Sequence, residues 1–104
     1  MAEYIGQPGQ GAALEDKQKI ERPRRYKVML LNDDYTTMEF VVEVLQGIFR
    51  RSEEEAMAIM LNVHKNGMGV AGVYVKSIAE TKVVQVHKLA QSMEYPLRCT
   101  MERE

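Results

Sequence analysis

The sequence predicts a small α+β sandwich, in which a three-stranded antiparallel sheet carries three helices on one of its faces. Two observations predict this class. Three short apolar runs have the composition of β-strands, and three longer segments repeat apolar residues at helical spacing. Their order along the chain is β-α-α-β-α-β, and a sheet covered by helices on one face is the simplest arrangement that buries every apolar stripe.

The first part of the chain differs in composition from the rest. Residues 1–24 are rich in glycine, glutamine and charged side chains and offer almost nothing to bury, so we expect a flexible N-terminal tail. Residues 25–104 then form one core domain, because a chain of 104 residues has room for a single hydrophobic core.

The first strand and the first helix are predicted on either side of a polar stretch. Residues 26–31, YKVMLL, form an apolar run typical of a buried strand, and NDDYTT follows it. Thr36 and Glu39 have the S/T-x-x-E spacing of a capping box, which predicts Thr36 as the N-cap of a helix of about 12 residues. The apolar positions of this helix recur at helical spacing: Val41, Val44, Leu45, Ile48 and Phe49.

The second helix has a start and a stop signal. Ser52 and Glu55 form another capping box, and Asn66-Gly67 is typical of a helix C-terminus. Between these signals, one stripe is apolar: Ala56, Ile59, Met60 and Val63. Residues 69–75, GVAGVYV, then predict the second strand.

The C-terminal part predicts a helix and a strand. Ser77 and Glu80 form a third capping box, which opens a helix that runs to about Ser92. Its common face is apolar: Ala79, Val83, Val86 and Ala90. After Pro96, apolar residues alternate with polar ones, as in a half-buried strand: Leu97, Cys99 and Met101.

Composition excludes several classes of function. The net charge is −1, from 14 basic and 15 acidic residues, so no overall field favours nucleic acid or an anionic membrane. No run approaches the roughly 20 apolar residues of a membrane span, and the N-terminus lacks the pattern of a signal peptide. The single cysteine, Cys99, excludes an internal disulfide and a multi-cysteine metal site. We therefore expect a cytoplasmic protein without metal or other cofactor.

Three consecutive Asx residues are the first candidate site. Asn32, Asp33 and Asp34 lie between the first strand and the first helix, where such side chains commonly form turns. With Thr36 predicted as the helix cap, however, three Asx residues exceed what one turn requires. Two adjacent carboxylates also repel each other unless a cation lies nearby. The pattern leaves two interpretations open, a turn and a cation-accepting site.

His64 and the methionines are the second candidates. His64 lies four residues after Met60, so the two side chains share a helix face. A histidine near a helix end is commonly a solvated residue that interacts with the helix dipole. Eight methionines suit either a plastic core or a pocket that accepts several apolar groups. Two other functions stay open: an acid-base enzyme that pairs Asp34 with His64, and a nucleic-acid module that uses the basic residues before the first strand.

Several motifs, in order, resemble the ClpS family of bacterial adaptors. They are YKVMLLNDDYTTMEFVVEVL, IMLNVHKNG, GVYV with AETK, and PLRCTME, and together they cover roughly residues 24–104. The resemblance implies an adaptor rather than an enzyme. Such an adaptor binds N-degron substrates, proteins whose first residue marks them for degradation, and delivers them to the ClpA or ClpC unfoldase of the ClpP protease. It further implies a monomer without nucleic-acid or membrane partners.

The resemblance also implies residue roles. A free α-amino group would be bound by four polar residues: Asn32, Asp33, Asp34 and His64. The first side chain of the substrate, Leu, Phe, Tyr or Trp, would enter an apolar pocket: Thr36, Met38, Val41, Met60, Val63 and Leu97. Met38 and Met60 would act as a gate that rejects β-branched side chains.

A second surface is implied at the third helix. The N-terminal domain of the unfoldase would dock on residues at the start of this helix: Ser77, Glu80, Thr81 and Lys82. Lys82 is expected to be exposed and therefore the most informative position for a substitution. Thr37 departs from the family, in which proline is common, and we expect this change to loosen the start of the first helix.

Overall fold

The computed structural model describes residues 22–104. Its elements are β1 (Arg25–Leu31), α1 (Met38–Gly47), α2 (Glu53–Asn66), β2 (Met68–Val75), α3 (Lys76–Ser92) and β3 (Arg98–Arg103). The predicted order β-α-α-β-α-β is confirmed. Most of the predicted tail, residues 1–21, lies outside the described residues. Residues 22–24 are exposed and belong to no helix or strand.

The sheet has β1 in its centre. The strand order is β2-β1-β3, and β1 is antiparallel to both neighbours, so that Leu30 pairs with Gly69 on one side and with Cys99 on the other. This position explains why three consecutive residues of β1 are buried, with Val28 and Leu30 completely so. The β1–β2 pairing contains a β-bulge: Val28 pairs with Gly72 and Met29 with Val70, so Ala71 has no partner residue in β1. Arg51 Nε donates a hydrogen bond of 2.9 Å to the Ala71 carbonyl.

The helices bury their apolar stripes in one core with the sheet. Helices α2 and α3 contact the strands, and α1 packs against α2. The buried helical residues follow the predicted spacing: Phe40, Val41, Val44 and Leu45 on α1, Ala56, Met60 and Val63 on α2, and Ala79, Val86 and Ala90 on α3. A Cβ on Gly69 would lie 2.9 Å from Val63 Cγ2, so glycine permits the close approach of β2 to α2. None of the helices within residues 22–104 is long and apolar enough to cross a membrane.

Only one of the three predicted capping boxes is correct. Ser52 Oγ accepts from the Glu55 N–H, and the Glu55 carboxylate accepts from the Ser52 N–H, at 3.1 Å each. At the other end of α2, Gly67 is the C-cap, with φ of 90°, and its N–H donates to the Val63 carbonyl. The sequence therefore predicted both ends of α2.

The predicted starts of α1 and α3 are wrong. The N-cap of α1 is Thr37, whose side chain accepts from the Phe40 N–H at 3.1 Å, because Thr36 is held in the preceding loop by Asp33. At α3, the chain passes from β2 into the helix without an intervening loop. Val75 is consequently the N-cap, without a side-chain hydrogen bond, and Ser77 lies inside the first turn.

Candidate functional site

The polar stretch after β1 is a loop that Asp33 organises. The Asp33 Oδ1 atom accepts from the N–H groups of Tyr35, at 2.8 Å, and Thr36, at 2.7 Å. Its Oδ2 atom accepts from the Thr36 hydroxyl at 2.7 Å. Three of the roughly four acceptor positions of this carboxylate are thus used within the loop. The turn interpretation is correct for Asp33 but leaves the neighbouring Asx residues to be explained.

Asp33 keeps a negative charge at this loop. Partial burial raises the pKa of its carboxyl, but the hydrogen bonds from Thr36 and Tyr35 outweigh this effect and hold the pKa below its ordinary value. The loop therefore carries the charge of Asp33 beside that of the exposed Asp34.

Asn32 attaches the loop to the end of α2. Its N–H donates to the Gly67 carbonyl at 2.9 Å, and Gly67 is the residue that terminates the helix. The side chain of His64, in the last turn of α2, lines the same cavity as Asn32. A single backbone hydrogen bond thereby joins the two segments from which the predicted amine ligands come.

A cavity of about 270 Å³ opens between this loop, the start of α1 and the second half of α2. It brings together all four predicted amine ligands and five of the six predicted pocket residues: Asn32, Asp33, Asp34, Thr36, Met38, Val41, Met60, Val63 and His64. Polar groups thus lie beside an apolar wall, which suits a ligand with a charged group next to an apolar one.

Three polar side chains of this cavity are available to a ligand. Within residues 22–104, no hydrogen bond or ion pair engages the side chains of Asn32, Asp34 or His64. All three residues are exposed. Their oxygen atoms and one imidazole nitrogen of a neutral histidine are hydrogen-bond acceptors. Because the two carboxylates add negative charge, the arrangement favours a cationic hydrogen-bond donor.

The apolar wall combines a fixed and a movable part. Val41, Met60 and Val63 are nearly completely buried, whereas Met38, the first residue of α1, is 43% exposed. Thr37 caps the helix directly before Met38, and the loosening expected from the absence of proline stays a prediction. A proline could not supply this side-chain cap.

Leu97, the sixth predicted pocket residue, does not lie at this cavity. It is packed in the core with 3% exposure. Tyr35, Pro96 and Arg98 line a second cavity, of about 450 Å³, on the other side of the same loop. None of these three residues was predicted as a site residue, and no pattern in the sequence places Arg98 beside the loop.

The start of α3 is a separate surface. Ser77, Glu80 and Thr81 line a shallow groove, whereas Lys82 points elsewhere. Lys82 Nζ donates to the Ile48 carbonyl at 2.6 Å and lies 5.6 Å from the centroid of the Tyr74 ring. The expectation that Lys82 is exposed is therefore wrong, because its ammonium group satisfies a carbonyl at the C-terminus of α1.

The second histidine and the cysteine have structural roles. His87 Nε2 accepts a hydrogen bond of 3.1 Å from the Cys99 N–H, which fixes β3 against α3. Burial raises the pKa of the Cys99 thiol to about 12, so this thiol is not a reactive thiolate. In the part of the chain that the structure describes, no three His, Cys, Asp or Glu residues are grouped so as to hold a metal ion.

The basic residues before and within β1 are partly neutralised. Arg25 forms an ion pair of 2.9 Å with Glu104, and Lys27 lies 3.6 Å from Glu102. Both acidic partners lie at the end of the chain, beside β1. These pairs fit the interpretation of the basic run as a solvated lead-in to the sheet rather than as a track for phosphates.

Comparison with protein families gives one match that spans most of the chain. The family described as "ATP-dependent Clp protease adaptor protein ClpS" matches residues 21–100. The matched segment contains both the loop at Asn32–Asp34 and the start of α3, so the site and the second surface both lie within it.

Individual relatives agree with the family match. A protein of Desulfatibacillum aliphaticivorans named ATP-dependent Clp protease adapter protein ClpS is 61% identical over 90 residues, 86% of each chain. A protein of the same name from Maricaulis maris (strain MCS10) is 55% identical over 96 residues, 92% of this chain and 88% of the relative. The solved structure of Agrobacterium tumefaciens ClpS2 bound to L-phenylalaninamide superposes with a TM-score of 0.77 at 46% identity. The superposition covers 80% of this chain and 100% of the A. tumefaciens chain.

Proposed function

Because this chain belongs to the ClpS family of ATP-dependent Clp protease adaptors, we propose that its cavity binds the first residue of N-degron substrates. The bound groups are the free α-amino group and a bulky hydrophobic side chain: Leu, Phe, Tyr or Trp. The chain then delivers the substrate to the ClpA or ClpC unfoldase of the ClpP protease. One observation carries the proposal: a single cavity contains unengaged acceptors, negative charge and an apolar wall.

The α-amino group matches the polar half of the cavity. Its pKa is near 8, so at pH 7 it is mostly charged and has three hydrogen atoms to donate. Asn32, Asp34 and His64 supply acceptors, while Asp33 adds charge and holds the loop. Acetylation removes the charge and two of the three donor hydrogens, which leaves acceptors unpaired and weakens binding strongly.

The first side chain matches the apolar half. Burying a Phe- or Leu-sized side chain contributes roughly 1.5–3 kcal/mol, and each hydrogen bond to the charged amine contributes about as much. With two or three such bonds, less the cost of ordering the peptide, the free energy of binding is about 8 kcal/mol, or roughly micromolar. This affinity suits an adaptor that has to release its cargo.

The bound A. tumefaciens relative supports this assignment. L-Phenylalaninamide has a free α-amino group and a benzyl side chain, the two groups to which the cavity here is complementary. Its amide group replaces the next peptide bond, so this compound represents the first residue of a substrate. We propose that this chain binds the same two groups.

Unfoldase docking is proposed at the start of α3, through Ser77, Glu80 and Thr81, with Lys82 at its margin. The groove there lies on a different helix from the cavity and shares no lining residue with it. Residues before position 22 would be the segment on which the unfoldase pulls. Removing residues 1–20 would then block delivery and leave peptide binding unchanged.

The test is fluorescence anisotropy of two labelled peptides that begin with Phe, one with a free N-terminus and one N-acetylated. We expect about micromolar affinity for the free peptide and at least a tenfold weaker affinity for the acetylated one, the loss of roughly one charge-assisted hydrogen bond. Equal affinities would contradict recognition of the amine. Absence of binding to both peptides would contradict the proposed function as a whole.

A further inference from the structure

A second apolar groove adjoins the cavity on the far side of its two methionines. It has a volume of about 360 Å³ and lies between the outer faces of α1 and α2. Five residues line it: Met38, Glu39, Val42, Met57 and Met60. Met38 and Met60 belong to both the cavity and this groove, so the two are separated only by a pair of flexible, unbranched side chains. We call it the methionine groove.

We propose that the methionine groove binds the side chain of the third residue of the substrate. This inference rests on the proposed function, because it requires the first residue to occupy the cavity. The third residue of the substrate then adds to the specificity that the first residue provides, and Met57 is the main contact of its side chain.

The position of the groove along α2 carries the inference. His64, Met60 and Met57 follow one another at spacings of four and three residues, so they lie on one face of the helix. This stripe presents an amine ligand, then the wall of the side-chain cavity, then the methionine groove. The distance from His64 to Met57 is about 10 Å along the axis, at about 1.5 Å per residue.

An extended peptide fits this distance. It advances about 3.3 Å per residue, so two steps place the third Cα about 8 Å from the amine, and the flexible Met57 side chain spans the remaining distance. Side chains of residues 1 and 3 project to the same side of an extended chain. With the amine at His64 and the first side chain against Met60, a peptide that runs towards the N-terminus of α2 brings its third side chain over Met57.

The lining of the groove defines the preferred side chain. Met57 is 44% exposed and Met38 43%, so both have room to repack around an apolar group. The exposed Glu39 is the single charged residue of the lining and would accept the head group of a Lys or Arg whose stem covers the methionines. The groove therefore favours apolar or long basic residues at position 3 and disfavours acidic ones.

The experiment compares three ligands: L-phenylalaninamide, and the amidated peptides Phe-Ala-Ala-Gly and Phe-Ala-Leu-Gly. The first has no third residue, and the two peptides differ only there. We expect the peptide with leucine to bind about fivefold more tightly than the peptide with alanine, from partial burial of the leucine. Met57→Ala should reduce this ratio to less than about twofold and leave the affinity for L-phenylalaninamide unchanged.

Leu61→Ala is the matched control. Leu61 is on the same helix and is 42% exposed, but it lines neither the cavity nor the methionine groove. This variant should bind all three ligands as the parent protein does. A loss of the leucine preference in Leu61→Ala equal to that in Met57→Ala would overturn the proposal.

Two further outcomes would overturn the inference while leaving the proposed function intact. One is equal binding of the two peptides by the parent protein. The other is loss of the leucine preference in Arg98→Ala and not in Met57→Ala, which would direct the peptide through the cavity at Tyr35 and Pro96 instead. If L-phenylalaninamide itself fails to bind, the proposed function fails, and the third-residue site fails with it.

Discussion

The cavity at the loop and the surface at the start of α3 use their polar side chains in opposite ways. In the cavity, the side chains of Asn32, Asp34 and His64 have no hydrogen-bond partner within residues 22–104, and the side-chain hydrogen bonds within the loop are made by Asp33. At the start of α3, Lys82 bonds the Ile48 carbonyl and stabilises the end of α1. Substitutions of Asn32, Asp34 or His64 should therefore change ligand binding alone, whereas Lys82 combines an internal role with its position near the proposed docking surface.

The largest effect is expected at the unengaged acceptors. Asp34→Ala and His64→Ala should each weaken binding of a peptide that begins with Phe by about 10- to 150-fold, the value of one hydrogen bond to a charged group. The midpoint of thermal unfolding should stay within about 2 °C, because exposed side chains without internal partners add little stability.

Lys65→Ala is the control for these two variants, since Lys65 adjoins His64 on α2 but does not line the cavity. Anisotropy and thermal unfolding of the same samples measure both quantities. A large drop in the unfolding midpoint together with the loss of binding would place Asp34 or His64 among the structural residues and remove the contrast with Lys82.

The next effect concerns the movable part of the cavity wall. Met38→Ala should lower the discrimination between peptides that begin with Leu and with Val by about tenfold, because it removes the side chain against which a β-branched residue would collide. Affinity for both peptides is measured by competition with a labelled Phe peptide. An unchanged preference for Leu over Val would assign the discrimination to the buried residues Met60 and Val63.

A smaller effect on stability is expected at the second surface. Lys82→Met keeps the aliphatic stem and removes the ammonium group, so it should lower the free energy of unfolding by about 1–2 kcal/mol through the unpaired Ile48 carbonyl. Glu80→Ala, an exposed position on the same helix, should leave stability unchanged and weaken binding of the unfoldase N-terminal domain. Urea unfolding and a pull-down with this domain test the pair. If both variants changed stability and unfoldase binding equally, the distinction between a structural Lys82 and a docking Glu80 would be contradicted.

The smallest expected effect is the pH dependence that Asp33 contributes. Its pKa in the folded chain is below that in the unfolded chain, so the unfolded state binds more protons in the range between them. The stabilisation is present above the unfolded pKa of about 3.9 and is lost as pH falls through the folded value. Asp33→Asn should therefore make the decline of unfolding free energy below about pH 4 shallower. The unfolding free energy is measured by urea unfolding at a series of pH values. If its dependence on pH is the same in Asp33→Asn as in the parent protein, the role of the Thr36 and Tyr35 hydrogen bonds is contradicted.

Sequence reasoning succeeded where local patterns decide the structure. Apolar periodicity predicted the six elements and the shared face of Met60 and His64, and reciprocal capping by Ser52 and Glu55 was predicted correctly. The same S/T-x-x-E pattern failed at Thr36 because a neighbouring carboxylate takes its hydroxyl and N–H. At Ser77 it failed because the strand runs directly into the helix. An S/T-x-x-E pattern shows that capping hydrogen bonds are possible, but it does not show whether they form in preference to other hydrogen bonds of the same side chain.

Long-range contacts account for what the sequence could not predict. Lys82 and Ile48 are 34 positions apart, and no periodicity links them. Arg98 reaches the loop at Asp33 only through the pairing of β3 with β1. Met57 had a local signal, since it precedes Met60 by three residues on one helix, but its groove requires the facing residue Val42 on α1. Local patterns singled out the residues that share one element or one loop, whereas the grouping of the loop with α2 came from the resemblance to the ClpS family and not from any spacing in the sequence.

We propose that one cavity binds both a free α-amino group and the side chain beside it. The most direct measurement is a titration of ¹⁵N-labelled protein with L-phenylalaninamide and, separately, with N-acetyl-L-phenylalaninamide, followed by amide chemical shifts. We expect saturable shifts at residues 32–38 and 60–64 with the free amine and none there at the same concentration of the acetylated compound. Shifts centred on α3, or equal shifts with both compounds, would contradict it.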